Sequence, residues 1–311
     1  MSQYTKSGLK NDCFHEIESA ATAMAREAGR ILQYYFQQTL KVSYKDTRMR
    51  NPVTQADHAS QTFLKTTINR QFPGHGIVAE EDVDGDTSIA PDFLWIIDPL
   101  DGTTNFIHGL PMYACSIGVL YKGEPVVGSL FIPWPNEQRG IILHSRRGGG
   151  AFIENSPLAI RQWSAYKGLQ LAGLPASLGL SYSFNKRVRN QSSDARTTGS
   201  IAYELALVAQ GILKYTVHTN PRIWDVAGGI AILLEAGGEC IARDNQHSDR
   251  KNSKVLFPYW LTGKTTIQEI RDWSIKSLVA GKSGVIEKST DLLHSRSKLQ
   301  DFLSSTVRKL F

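Results

Sequence analysis

The stretch WIIDPLDGTTNF, residues 95–106, constrains the fold of this chain more than any other. Its apolar start, Trp95-Ile96-Ile97, reads as a buried strand. Asp98 closes that run and Asp101 follows after Pro99 and Leu100. A carboxylate at the end of a buried strand is costly unless something neutralises it, and packing gives no reason for a second one close by. The chain must therefore fold so that positive charge reaches this strand end.

The residue types say what kind of charge. Pro99 lacks an N–H, so it is expected to stop ladder pairing after Asp98 and bend the chain. Asp101 then lies near Asp98, with the Leu100 carbonyl pointing the same way. An arc of oxygen donors suits hard cations, above all Mg²⁺. Gly102-Thr103-Thr104 reads as a helix start, where free N–H groups and the helix dipole favour a bound phosphate. The Thr103 hydroxyl can hold a metal or orient a water. A bare Asp-Gly pair is most often a surface turn; the apolar run before this one, and the acids elsewhere, weigh against that reading.

Those further acids are Glu80, Glu81 and Asp82 after Ile77-Val78, Asp57 in VTQADHAS, and Asp225 after Trp224. An acidic run is usually a solvated loop, but this one follows a short apolar strand, which makes at least one of its members a candidate ligand. Asp57 reads either as a mid-helix surface acid or as a base near the metals. Asp225 opens an apolar helix, where a negative charge is favoured by the dipole whether or not it binds anything.

Helical periodicity runs over residues 12–38 and 54–69. GIVA and WIID are short strands. From Met112 the runs YACSIGVLY, PVVGSLFI, RGIILH and AFIE, punctuated by Gly and Pro, predict a mainly antiparallel sheet. Beyond Gln162 the chain alternates: LQLAGL strand, SIAYELALVAQG helix, KYTVHT strand, WDVAGGIAILLEAGG helix, ECIA strand, then a strand and a helix or two in the tail. The domains read as residues 1–162, an α+β part with the first acidic motifs, and 163–311, an α/β part with the last one, an insert near 243–275 and a basic tail.

Cys13, Cys115 and Cys240 form no CxxC pair and no even set, which argues against a thiolate zinc site or a disulfide framework. The charge of +6 is dispersed, without a basic stripe interleaved with aromatics, so nucleic acid is disfavoured and small anions are favoured. No apolar run approaches the roughly 20 residues of a membrane span, and the N-terminal residues lack a signal pattern; a soluble cytoplasmic protein is expected.

Taken together, WIIDPLDGTTNFIHGLP, WDVAGGIAILLEAGG, GIVAEED and NPVTQAD resemble the signatures of the inositol monophosphatase family of Mg²⁺-dependent, lithium-sensitive phosphatases. RRGGGAFIEN and TTGSIAYELA resemble further elements of it. The resemblance implies a five-layered αβαβα sandwich, usually a homodimer, acting on a small phosphorylated substrate with two or three Mg²⁺ ions, or Mn²⁺ in their place. By position it implies that Glu80, Asp98 and the Leu100 carbonyl hold one ion, and Asp98, Asp101 and Asp225 a second, with Glu80 facing a third. Asp57, Glu80 and Thr103 would activate the attacking water, the Gly102 and Thr103 amides would take the phosphate, and Gly199, Ser200 and Ile201 would line the substrate pocket.

The chain departs from the familiar pattern at His218. A glutamate stands there in inositol phosphatases and binds the ring hydroxyls. A histidine, with Arg222 nearby, could meet a second phosphate, or could be a satisfied loop residue. This keeps fructose-1,6-bisphosphatase, 3′(2′),5′-bisphosphate nucleotidase and histidinol phosphatase activities open, as well as an RNA or RNA-polymerase-associated role known among relatives. The Trp- and Tyr-rich insert is expected at a subunit interface or over the pocket, because exposed Trp260 and Trp273 would make an apolar patch.

Overall fold

A computed structural model describes residues 8–49, 51–82, 85–160, 170–175, 182–184, 193–243, 264–275, 277–282 and 293–295. In chain order the elements are α1 (Gly8–Tyr35), β1 (Val42–Tyr44), β2 (Pro52–Thr54), α2 (Gln55–Gln71), β3 (Gly76–Ala79), β4 (Phe93–Asp101) and α3 (Thr103–Ile107). There follow β5 (Ala114–Tyr121), β6 (Glu124–Trp134), β7 (Glu137–Arg146), β8 (Gly150–Ile153), β9 (Ser156–Leu158), β10 (Gln170–Gly173), β11 (Tyr182–Phe184) and β12 (Ser193–Arg196). The chain continues through α4 (Ile201–Ala209), β13 (Leu213–Thr219), α5 (Ile223–Glu235), β14 (Gly238–Arg243), α6 (Ile267–Arg271), β15 (Ser277–Lys282) and β16 (Leu293–Ser295).

The first sheet has seven strands in sequence order, β3 to β9, antiparallel throughout except for the parallel pair β3–β4. Its strands are apolar on both sides. In β4, Trp95 and Ile97 join one core with α1 and α2, while Leu94 and Ile96 join the other with α4 and α5. The period of two along a strand divides the residues between the two cores. The second sheet runs β12-β10-β13-β15-β14, with β10 parallel to its neighbours and the rest antiparallel. Leu213, Cys240, Leu278 and Ala280 face the same α4/α5 core. Ala172, Tyr215, Val217, Ile241 and Val279 form a separate apolar cluster. The described residues thus build the α, β, α and β layers of an αβαβα sandwich, with the separate cluster on the outer face of the second sheet.

Helix α5 lies unusually close to the first sheet. A Cβ at Gly128 would come within 2.4 Å of the Gly228 carbonyl oxygen, and one at Gly118 within 2.6 Å of the Ala227 Cβ. One at Gly229 would meet Leu205 at 2.6 Å. The glycines of WDVAGG are therefore packing residues: they let the helix settle on β5 and β6 and bring its N-terminus over the end of β4.

The structure departs from the expected elements at Pro99. Pro99 does not end its strand: β4 runs to Asp101, and an irregularity in register between Asp98 and Asp101 absorbs the missing N–H. His218 lies within β13, the strand expected over KYTVHT, opposite Leu278, so it is a satisfied strand residue rather than a loop one. Trp273, from the insert expected to pack, is partly buried against the larger core. Tyr259, Trp260, the loop 244–253 and most of the tail expected to be helical fall outside the described residues; the tail's described strand β16 pairs with β11. Among the described residues, no helix is long and apolar enough to cross a membrane.

Candidate active site

The bulge in β4 turns Asp98 and Asp101 toward the start of α5. Carboxylate oxygens of Asp98, Asp101 and Asp225 all lie within 4.8 Å of one another. Each acid has its own anchor. The Leu100 N–H donates to Asp98 Oδ1 at 3.0 Å. Ser200 Oγ and the Ala202 N–H donate to Asp101 Oδ2 at 2.8 and 2.6 Å. The Arg222 N–H donates to Asp225 Oδ2 at 2.8 Å, so Asp225 caps its helix and joins the cluster at once.

Asp57 is no surface acid: it is 0% exposed. It sits in the first turn of α2 and closes a capping box with Thr54, accepting from the Thr54 N–H at 2.8 Å and from its hydroxyl at 2.6 Å. Its other oxygen faces Thr103, whose hydroxyl donates to Asp57 Oδ1 at 3.2 Å or to the Leu100 carbonyl at 3.0 Å. Gly102 holds a positive φ of 92°, which lets the chain leave β4 and enter α3 beside Ser200.

Glu80 follows β3, the parallel neighbour of β4, close enough to Asp98 to raise its pKa. Lys45 reaches the same corner and pairs with Glu80 at 3.0 Å and Glu81 at 2.6 Å. Burial would lower the Lys45 pKa, but these two acids raise it. The sequence reading missed Lys45, because a single lysine in the charged segment SYKDTRMR has no spacing signal.

The acids are short of positive charge. Burial, and then Glu80, Asp101 and Asp225, push Asp98 well above the carboxylate range. Burial raises Asp101 to about 7 against the Ser200 and Ala202 bonds, and burial with Asp101 raises Asp225 strongly. Asp57 rises to about 6 and Glu81 to about 7, burial again being the main cause. A buried set of oxygen donors, mutually repelling and without enough cations beside it, fits a hard divalent metal.

Gly199, Ser200 and Ile201 stand at the N-terminus of α4, against Gly102 and Asn105; the Asn105 amide donates to the Thr198 and Met112 carbonyls, both at 2.7 Å. His218 takes its partners inside the protein. It is 3% exposed, with Nε2 3.2 Å from the Thr216 hydroxyl and Nδ1 3.7 Å from Glu204. Burial drops its pKa to about 3, so it is neutral.

A sandwich with a carboxylate cluster at a strand end and a helix start is an arrangement suited to metal-assisted hydrolysis of phosphate esters. The sequence profile of the inositol monophosphatase family matches residues 14–274, and the chain belongs to that family of phosphatases. It is 32% identical over 259 residues to the inositol-1-monophosphatase of Mesorhizobium japonicum, covering 81% of this chain and 91% of the relative. It is 33% identical over 231 residues to the Nus factor SuhB of Escherichia coli strain K12, covering 72% and 84%. In structure it is similar to the Thermotoga maritima IMPase, with a TM-score of 0.67 and 24% identity over 87% of this chain and 94% of that one, a likeness of fold.

Proposed function

We propose that this chain is a Mg²⁺-dependent phosphomonoesterase acting on inositol monophosphate or a similarly small sugar phosphate. The observation that carries the reading is the meeting of Asp98, Asp101 and Asp225 within 4.8 Å. Glu80, Asp98 and the Leu100 carbonyl would hold one ion, and Asp98, Asp101 and Asp225 a second, with Glu80 also facing a third; Mn²⁺ suits the same donors. When bound, such ions neutralise phosphate oxygens, make water easier to deprotonate and steady the leaving alkoxide.

The rest falls to the protein's own groups. The Thr103 hydroxyl donates a hydrogen bond to Asp57 or to the Leu100 carbonyl and keeps lone pairs to accept one from the attacking water. Asp57, raised to about 6, is poised to receive the proton that water loses near neutral pH. Lys45 steadies Glu80 and Glu81. The Gly102 and Thr103 amides take the phosphate, and Gly199, Ser200 and Ile201 border the alcohol. His218, buried, neutral and tied to Thr216, offers no charge to the substrate. The assembly is a homodimer, as the family resemblance implies, and its partner is a small phosphorylated substrate rather than nucleic acid.

The test is phosphate release with and without Mg²⁺ from inositol 1-phosphate, fructose 1,6-bisphosphate, adenosine 3′,5′-bisphosphate and histidinol phosphate. Strong preference for the first supports the reading. Preference for a bisphosphate moves the substrate to a sister class, and Mg²⁺-independent release from all of them overturns the metal role.

A further inference from the structure

Residues 265–274 of the insert lie across both halves of the acidic cluster. One end is tied by a bridge between Thr266 and Ile89, the other by a bridge between Ser274 and Arg222. Along the first end, the Ala90 N–H donates to Thr265 at 2.8 Å, Ile267 to Ser88 at 2.9 Å and Gln268 to Asp86 at 2.9 Å. The Gln268 side chain accepts from the Gly85 N–H at 2.8 Å. The chain between the ties carries α6, which Thr266 and Glu269 cap.

From the end of α6, Arg271 turns inward and is 9% exposed. Its guanidinium donates to the carbonyls of Ala79, of Glu80 at 3.1 Å and of Asp82 at 2.7 Å. It also lies 5.1 Å from the centroid of the Trp224 ring. Those carbonyls belong to the turn that presents Glu80, and Trp224 directly precedes Asp225. One planar fork therefore grips the turn of one acid and stacks on the neighbour of another, which a lysine's point charge cannot reproduce. Glu80 and Asp225 repel each other electrostatically, so a device that fixes the Glu80 turn sets how the two face a shared ion.

We propose that Arg271 is a positioning residue of the metal site: it holds the Glu80 turn in place relative to Asp225 and thereby sets the affinity for the divalent cation. The proposal rests on the reading that Glu80 and Asp225 are ion ligands. Residues that orient metal ligands typically contribute about 10- to 100-fold to affinity.

The experiment measures Mn²⁺ binding to the purified full chain by calorimetry, with thermal unfolding of the metal-free protein alongside. Arg271→Met keeps the apolar stem and removes the fork. It is expected to weaken Mn²⁺ binding about 10-fold or more, and Arg271→Lys to fall between it and the wild type. Asp98→Asn is the control for the underlying reading. Should Arg271→Met bind Mn²⁺ like the wild type while Asp98→Asn loses it, the positioning role is overturned and the metal site stands. Should Asp98→Asn bind normally, the metal site itself is misassigned. A lowered unfolding temperature with unchanged Mn²⁺ affinity makes Arg271 structural only and overturns the proposal. If Arg271→Met does not fold, Arg271→Lys decides, since wild-type affinity in that variant contradicts the role.

Discussion

The Thr103 hydroxyl donates to Asp57 Oδ1 at 3.2 Å, joining residues 46 positions apart. Asp57 is held from its other side by Thr54, so the pair presents a fixed hydroxyl backed by a buried carboxylate. Asp57→Asn keeps the size and loses the proton acceptor. It is expected to lower kcat by about 10²- to 10⁴-fold with little change in KM, the range of a positioned general base. Thr103→Ala should fall in the same range, and the double variant should lose little more than either single one. Additive losses in steady-state kinetics would mean that the two act separately.

The raised carboxylates make a statement about pH. Asp57 at about 6 and Asp101 at about 7 lie above their ordinary value of 3.8, so the folded, metal-free chain binds more protons than the unfolded chain in that interval. Their contribution to stability is fully present below the unfolded value and is lost as pH rises through the folded values. Divalent cation removes the repulsion that appears. The gap in Tm between metal-loaded and metal-free protein is therefore expected to widen from pH 5 to pH 8, and to stay small in Asp98→Asn. A gap independent of pH would separate the carboxylates from metal binding.

His218 works in the opposite sense. With a folded pKa of about 3 against 6.5 unfolded, it favours the unfolded chain as pH falls below 6.5. The slope for one such group approaches about 1.4 kcal/mol per pH unit. His218→Gln should flatten urea-determined stability between pH 6.5 and 4.5 relative to the wild type. An unchanged slope would mean that His218 titrates normally in the fold.

How much of this was legible in the sequence depends on how far a feature's cause lies along the chain. The Asp98–Asp101 pair announced itself because its oddity is local: two acids against an apolar run. The strand's continuation through Pro99 was not legible, because the bulge that accommodates it is made with β5. Asp225 by itself reads first as a helix N-terminal charge, a ligand role coming only with the resemblance; the structure makes it the capping acid of α5 and brings it within 4.8 Å of Asp98 and Asp101. The burial of Asp57 needed Thr103 to arrive from elsewhere. Lys45 and Arg271 carry no periodicity or spacing at all, and only tertiary contacts with Glu80 and its turn reveal them. The WDVAGG glycines were read as part of a signature; that they set the height of α5 on the sheet is a fact of packing.

That packing can be tested away from the chemistry. Gly128→Ala places a Cβ 2.4 Å from the Gly228 carbonyl, with backbone rather than a flexible side chain in the way. Overpacking of this kind costs about 1–3 kcal/mol. Because α5 carries Asp225, turnover at limiting Mg²⁺ is expected to fall further than turnover at saturating Mg²⁺. Equal loss at both, measured against chemical denaturation, would leave stability as the whole effect.

A buried ion pair far from the site serves as the contrast. Glu18 binds His144 Nδ1 at 2.7 Å and Arg146 at 2.6 Å, tying α1 to β7. Glu18→Ala leaves Arg146 without its carboxylate and His144 without its hydrogen-bond partner and is expected to cost about 3 kcal/mol in denaturant unfolding, with kcat and Mg²⁺ dependence unchanged in the folded fraction. A changed Mg²⁺ requirement would tie this network to the site.

The central claim is that the acids at the end of β4 and the start of α5 hold the cation on which phosphate release depends. The most direct measurement is Mg²⁺-dependent turnover of Asp98→Asn beside the wild type, with circular dichroism to show that both are folded. The account predicts a folded variant that has lost nearly all turnover at every Mg²⁺ concentration. A folded Asp98→Asn with near-normal turnover would contradict it.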